Sequence, residues 1–310
     1  MFIRQDGPNL EVLAPAKLNL FLEVTGKRSD GFHELDMLMV PVALFDTLKV
    51  SLLDNSDIQL LARWAHGLPG HPEIPSAEDN LVHHALCLFQ ETVFKLKQQR
   101  PGLCVQLTKR IPAAAGLGGA SSDAAAALVA ANQLLDTILT TEQLLEVAAA
   151  VGSDVPFFLF RSPARCQGRG EVVTPVTAGQ RIPLVLVKPE QGLSTPAVFD
   201  RLADIGWQAP HSIEPMLTAF EKGDLACIAK SLHNRLLKPA VALLPELKEL
   251  SGQLAELNMP GYQMTGSGST FFVICRHQNQ AKKLASRLRQ MKLGSVIDTY
   301  TLNQPFGWAA

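Results

Sequence analysis

The sequence predicts two domains that combine β-strands with α-helices. Its 310 residues exceed what one hydrophobic core usually serves. Apolar residues alternate in "LNLFLEVTG" and again in "TLKVSLL", which marks strands early in the chain, whereas residues 196 to 257 carry helical patterns. A composition of 47% hydrophobic and 18% charged residues is that of a globular chain and excludes a disordered or fibrous one.

Taken in order, Leu18, Leu20, Leu22 and Val24 fall on one face of the first strand, and a second strand begins at Thr47. Residues 62 to 79, "ARWAHGLPGHPEIPSAED", have the glycines and prolines of a loop. Asp79 or Asn80 then caps a helix running to about Lys97. "GLCVQLTKRI" (102 to 111) alternates as a strand and leads into "PAAAGLGGASSDAAAAL" (112 to 128), a glycine loop followed by a helix from Ser121 or Ser122. The next helix starts at "TTEQ", where Thr140 and Gln143 have capping-box spacing, and stops at Gly152. Residues 161 to 182 read as a polar connection, and the boundary placed there divides the chain into 1–180 and 181–310. Beyond it lie a buried strand "IPLVLVKP", the helices of 196 to 257 and a second glycine loop "TGSGST" (265 to 270). The strand "FFVIC", a helix over 278 to 292 and the strand "SVIDTYTL" complete the order.

A formal charge of -1 and a pI near 6.7 provide no positive field for nucleic acid or an anionic membrane. Five cysteines at wide spacings, without a C-x-x-C pair, indicate neither a disulfide framework nor a thiolate metal site. The N-terminus lacks the apolar stretch of a signal peptide, and the longest apolar run, Ala124 to Ala131, is too short to cross a bilayer. A cytoplasmic protein with reduced thiols is expected. The histidines suggest no protein-built metal site: there is no H-E-x-x-H, and adjacent His83 and His84 point apart on a helix. Trp64, Trp207 and Trp308 read as packing or loop residues.

Gly116, Gly118 and Gly119 stand immediately before a helix, where backbone N–H groups lack intrahelical partners and face the positive end of the helix dipole. Such a loop is either an anion site or a tight turn that packs a small-residue helix on a sheet. Three known templates fail by the letter. No Lys follows Gly119 as a P-loop requires, Ser121 occupies the third glycine of a dinucleotide fingerprint, and Asp123 occupies the last glycine of a nucleophile elbow. Two other stretches give the loop a context: "PAKLNLFLEVTGKRSDGFHEL" (15 to 35) and "GSDVPFFL" with Asp154 at a helix exit.

In these stretches, together with "MTGSGSTFF", the sequence resembles the GHMP kinases, named for galactokinase, homoserine, mevalonate and phosphomevalonate kinases. The first stretch is most similar to the branch acting on a cytidine diphosphate sugar alcohol, and the likeness spans Ala14 to the last strand. The resemblance implies an α+β fold with an N-terminal nucleotide domain, a C-terminal ferredoxin-like domain and the active site between them. It implies an ATP-dependent small-molecule kinase using Mg²⁺. Lys17 and Asp154 match the catalytic pair, with Asn19 beside them among the substrate-binding residues. Phe32 and His33 match the pair that holds the cytosine, with Phe199 as the opposing ring and Thr195 nearby. Asn80 and Lys109 match positions near the adenine and phosphates of ATP. The loop of Pro112, Ala113, Ala114, Ala115, Gly116, Leu117, Gly118, Gly119, Ala120, Ser121 and Ser122 matches the phosphate-binding segment. Phe32 replaces the branch's usual tyrosine, which keeps a stacking face and removes a hydroxyl.

Phosphoryl transfer requires positioning and charge stabilisation more than covalent chemistry. Asp154 is the base for a hydroxyl acceptor, Lys17 keeps it ionised and attracts phosphoryl oxygens, and Ser121 or Ser122 supplies a hydroxyl for Mg²⁺. Two rival readings fit the same scaffold: another kinase of the family, and a non-catalytic metabolite sensor. "SDGFHEL" argues against the first, and retention of both Lys17 and Asp154 against the second.

Overall fold

The computed structural model describes residues 1–67, 72–205 and 209–303; Trp207 and Trp308 lie outside the described residues. The chain runs β1 (Phe2–Asp6), β2 (Asn9–Lys27), β3 (His33–Leu53), β4 (Ile58–Trp64), α1 (Leu81–Lys97), β5 (Gly102–Lys109), α2 (Gly119–Leu134), α3 (Thr141–Val151), α4 (Val155–Phe160), β6 (Ala164–Gly168) and β7 (Val172–Pro175). It continues with β8 (Pro183–Lys188), α5 (Thr195–Ile205), α6 (Glu214–Lys222), α7 (Leu225–Ser231), β9 (His233–Asn234), α8 (Leu237–Leu243), α9 (Glu246–Ala255), β10 (Gly261–Met264), β11 (Phe271–Ile274), α10 (Gln278–Gln290) and β12 (Ser295–Tyr300).

Strands and helices divide between two sheets. The larger has the order β1-β2-β3-β5-β4, with β6 and β7 continuing from β3 and the short β9 lying parallel to β2. The smaller is an antiparallel sheet of order β10-β11-β8-β12. An isolated bridge from Val42 to Thr301 connects the end of the chain to β3.

The first strand does not keep the single apolar face that its alternation predicts. A bulge lies between Asn19 and Phe21, so Leu18 and Leu20 pack in one core cluster with Phe21, while Leu22 and Val24 pack in the other. One inserted residue reverses the side on which every later side chain projects. This twist of β2 leaves Lys17 and Asn19 buried just before the bulge.

Local signals set several helix ends. Asn80 accepts the amide of Val82 and caps α1, and Thr140 and Gln143 exchange both capping-box hydrogen bonds at α3. Helix α2 starts at Gly119, two residues before the earlier predicted start, because Gly118 adopts φ 67° as its cap in place of a serine. Its alanines are buried on every side, from Ala124 to Ala131, as suits a helix enclosed by other elements.

Two connections contain more structure than their composition indicates. The predicted loop from residue 62 starts inside β4, where Ala62, Arg63 and Trp64 pair with Leu107, Thr108 and Lys109. The polar stretch 161–182 holds the β6–β7 hairpin, in which Ala164, Cys166 and Gly168 alternate inward against β3.

Candidate active site

A cleft of about 420 Å³ opens where the glycine loop, the start of α2, Asp154, the start of α5 and the second glycine loop converge. Its wall includes Lys17, Asn80, Lys109, residues 112–121, Asp123, Asp154, Thr195, Phe199, Gly266 and Ser267. The sequence scatters these over some 250 positions; the fold collects them.

The glycines answer first to the protein's own packing. Gly116 has φ 72°, and a Cβ there would sit 2.2 Å from the carbonyl oxygen of Thr265. At Gly118 (φ 67°) it would meet the Lys17 side chain at 2.9 Å, and at Gly119 it would meet Ile111 at 2.9 Å. Of the two readings of this loop, the tight turn has direct contacts behind it: each glycine seats the loop against a neighbour. The anion-binding feature survives beside this. Gly118 offers α2 no side-chain cap, so the first turn faces the cleft with amides unbonded by a capping side chain. Ser121 lines the cleft, whereas Ser122 is fully buried, with a hydroxyl lacking a hydrogen-bond partner.

Lys17 is buried on β2, and its ammonium donates to Asn19 Oδ1 at 2.7 Å and stands 3.5 Å from Asp154 Oδ2. Asp154 occupies the cap position of α4 without bonding that helix, so its carboxylate stays directed to the cleft. Asn19, assigned to the substrate by resemblance, is fully buried behind Lys17 and does not line the cleft. It orients the lysine.

Lys109 is not a free phosphate-seeking cation. Its ammonium lies 2.5 Å from both Asp46 Oδ2 and Asp123 Oδ2, and all three side chains are buried. Burial lowers the lysine's proton affinity, but its two carboxylate neighbours outweigh this and hold its pKa above the ordinary value. Asp123 is pushed well above the usual carboxylate range, by burial first and then by Asp46. Asp46 Oδ1 also accepts the amides of Arg110 and Ile111, which pins the entry to the glycine loop. Sequence reasoning missed Asp46 and Asp123, because nothing in the spacing marks two acids as flanking one lysine.

Phe32 does not line the cleft; it is half exposed and carries the Arg169 guanidinium 4.7 Å from its ring centre. His33 stacks directly on Phe199, with centroids 4.9 Å apart and planes 25° apart. No base fits between His33 and Phe199 in this arrangement. Burial lowers the His33 pKa, with Lys27 adding to the effect, which favours the neutral ring. Thr195 exchanges a hydrogen bond with Ser267 at 2.7 Å. Trp64, Glu73, Ile74 and Pro75 complete the wall near Asn80, a role for the 62–79 stretch that its composition does not reveal.

Away from the cleft, Glu23, His211 and His233 bring potential metal-ligand atoms within 4.8 Å of one another, a meeting that sequence spacing conceals. The Arg235 guanidinium bonds both oxygens of Glu23, at 2.5 and 2.8 Å, so this carboxylate already holds a cation.

Residues 80–162 match the family described as GHMP kinases N terminal domain, and residues 216–292 match GHMP kinases C terminal. The chain is 37% identical to the 4-diphosphocytidyl-2-C-methyl-D-erythritol kinase of Exiguobacterium sibiricum, over 90% of this chain and 93% of that protein. Identity is also 37% to the enzyme of the same name from Pelotomaculum thermopropionicum, covering 95% and 98%. A crystal structure of 4-(cytidine 5'-diphospho)-2C-methyl-D-erythritol kinase superposes with a TM-score of 0.76 at 33% identity, covering 94% of this chain and 98% of that one. Homoserine kinase from Cytophaga hutchinsonii shares the fold, at a TM-score of 0.74 and 18% identity, covering 98% of both chains.

Proposed function

The chain belongs to the GHMP kinase family, and from that premise we propose that it transfers the γ-phosphoryl group of ATP to the 2-hydroxyl of 4-diphosphocytidyl-2-C-methyl-D-erythritol, a step of non-mevalonate isoprenoid synthesis. The carrying observation is the Lys17–Asp154 pair at 3.5 Å, set in the same cleft as the uncapped start of α2.

Asp154 takes the proton of the acceptor hydroxyl as its oxygen bonds to the γ-phosphorus, and the bond from that phosphorus to the bridging oxygen breaks to release ADP. Lys17, with its amine stem packed on Gly118, faces the charge that develops on the transferring group. The first-turn amides of α2 and the loop 112–118 cradle the remaining phosphates. The Ser121 hydroxyl on the cleft wall suits Mg²⁺, which keeps most of its waters and takes few protein ligands; bound with the nucleotide, it neutralises phosphate charge. Lys109 contributes by holding the loop and not by reaching the nucleotide. The cytosine stacks on Phe32 and Phe199 with His33 at its edge, which requires His33 to leave the Phe199 ring.

No helix among the described residues is long and apolar enough to cross a membrane, and all five cysteines are unpaired. The free thiols suit the reducing cytoplasm proposed as its location. Coupled ADP-release assays with the cytidine acceptor test the reading: turnover supports it, and ATP binding without turnover on any offered acceptor would favour a sensor.

A further inference from the structure

We propose that Asn234 is a positioning residue for phosphoryl transfer, acting through the second glycine loop. The inference rests on the kinase reading but on a separate set of contacts. Asn234 lies on β9 and is buried. Its carboxamide nitrogen donates to the carbonyls of Met264 at 2.7 Å and Gly266 at 2.9 Å, and its oxygen accepts the amide of Leu236 at 2.9 Å. All of these partners are main chain, so the side chain fixes a backbone path and not another side chain.

That path is the wall on which the first glycine loop is seated. Thr265 Oγ1 accepts the amide of Asn19 at 3.0 Å and reaches the carbonyl of Gly116 at 3.4 Å. Asn19 in turn accepts the Lys17 ammonium at 2.7 Å. Ser267 of the same loop bonds Thr195 on the acceptor side at 2.7 Å. A shift of the 264–268 backbone therefore reaches Lys17, the anion loop and the acceptor wall together. The loop cannot absorb it, because a Cβ at Gly116 or Gly266 would stand 2.2 Å or 3.0 Å from the opposing backbone.

Asn234 is itself fixed from both sides. His233 and Arg235 bond the buried Glu23 carboxylate of β2, at 3.0 Å and at 2.5 and 2.8 Å, and the Arg235 amide donates to Leu22 at 2.9 Å. The Glu23 cluster, which resembles a metal site in its spacing, acts as the anchor of this positioning strand.

The test is Asn234→Asp, nearly isosteric, which replaces a donor with an acceptor opposite two carbonyls. In the full-length protein it is expected to speed amide exchange at Thr265 and Gly268 about tenfold. It should also lower kcat/KM about 10²-fold, the cost of a displacement near 1 Å. Its kcat loss should be non-additive with that of Thr265→Val, since both act through one loop. Unchanged exchange at these amides, or additive losses, would overturn the inference. Gly266→Ala, which disturbs the loop and leaves Asn234 intact, covers the case in which Asn234→Asp does not fold: assayed well below its lowered melting temperature it should still lose turnover, and normal turnover would overturn the proposal. A wild-type protein without kinase activity would instead overturn the reading of function, and the exchange measurement would still decide whether Asn234 holds the loop.

Discussion

The Lys17 ammonium lies 3.5 Å from a carboxylate oxygen of Asp154, the lysine buried and the aspartate partly open to the cleft. This places a carboxylate that can accept a hydroxyl proton on the cleft wall, beside a cation that faces the transferring group. Asp154→Asn is therefore expected to lower kcat by roughly 10² to 10⁴ while ATP affinity stays close to wild type. Steady-state kinetics with calorimetric ATP titration checks this, and near-normal turnover would remove Asp154 from the mechanism.

The loop glycines have separable failures. Gly118→Ala pushes on the Lys17 stem, 2.9 Å from the new Cβ, so kcat should fall with the ATP KM less affected. Gly116→Ala meets the Thr265 carbonyl at 2.2 Å in a positive-φ conformation and should cost about 1–3 kcal/mol of stability. Melting temperatures and kinetic constants of the two variants separate these outcomes; a pure rise in ATP KM at Gly118 would restore the phosphate as the reason for that glycine.

Much of this architecture is legible in the residues themselves. The caps at Asn80 and at Thr140 with Gln143 depend on contacts within one helical turn, so local spacing is enough to reveal them. Lys17, Asp154 and the glycine loop are legible through their resemblance to a family. The bulge at Leu20 is not, since alternation continues unbroken through it while the partner strand sets the slip. Nor is the Asp46–Lys109–Asp123 group, whose members are 63 and 14 residues apart and meet only through sheet pairing and helix docking. The β6–β7 hairpin is hidden by polar residues because β6 buries only alternate small residues and β7 buries none.

The buried acids predict an asymmetry. Lys109→Met leaves Asp46 without its cation and should cost about 3–5 kcal/mol at pH 7. Asp123, whose pKa burial and Asp46 push up, is the partner that loses less on neutralisation, so Asp123→Asn, which keeps an oxygen facing the ammonium, should cost less than Lys109→Met. Urea denaturation of both variants decides it; equal losses would mean that Asp123 carries full charge.

Glu23 gives the fold an acid limit. Burial raises its pKa, but hydrogen bonds from His233 and Arg235 and from backbone amides bring it far below its ordinary 4.5. A depressed carboxylate contributes stability that is fully present above the unfolded-state pKa and is lost as pH falls towards the folded value. Wild type should thus lose stability progressively below about pH 4.5, and Glu23→Gln, less stable at pH 7, should show a flatter curve there. Parallel curves for the two proteins would show that another group sets the limit.

The most direct test of the central claim is phosphorus NMR of the purified protein with ATP and Mg²⁺, offered in turn the cytidine acceptor, its uridine analogue, mevalonate and homoserine. The account predicts a new phosphomonoester signal, in step with ADP, for the cytidine compound, negligible product from mevalonate and homoserine, and a preference for cytidine over uridine that His33→Ala reduces. Efficient phosphorylation of mevalonate or homoserine, with none of the cytidine compound, would contradict it.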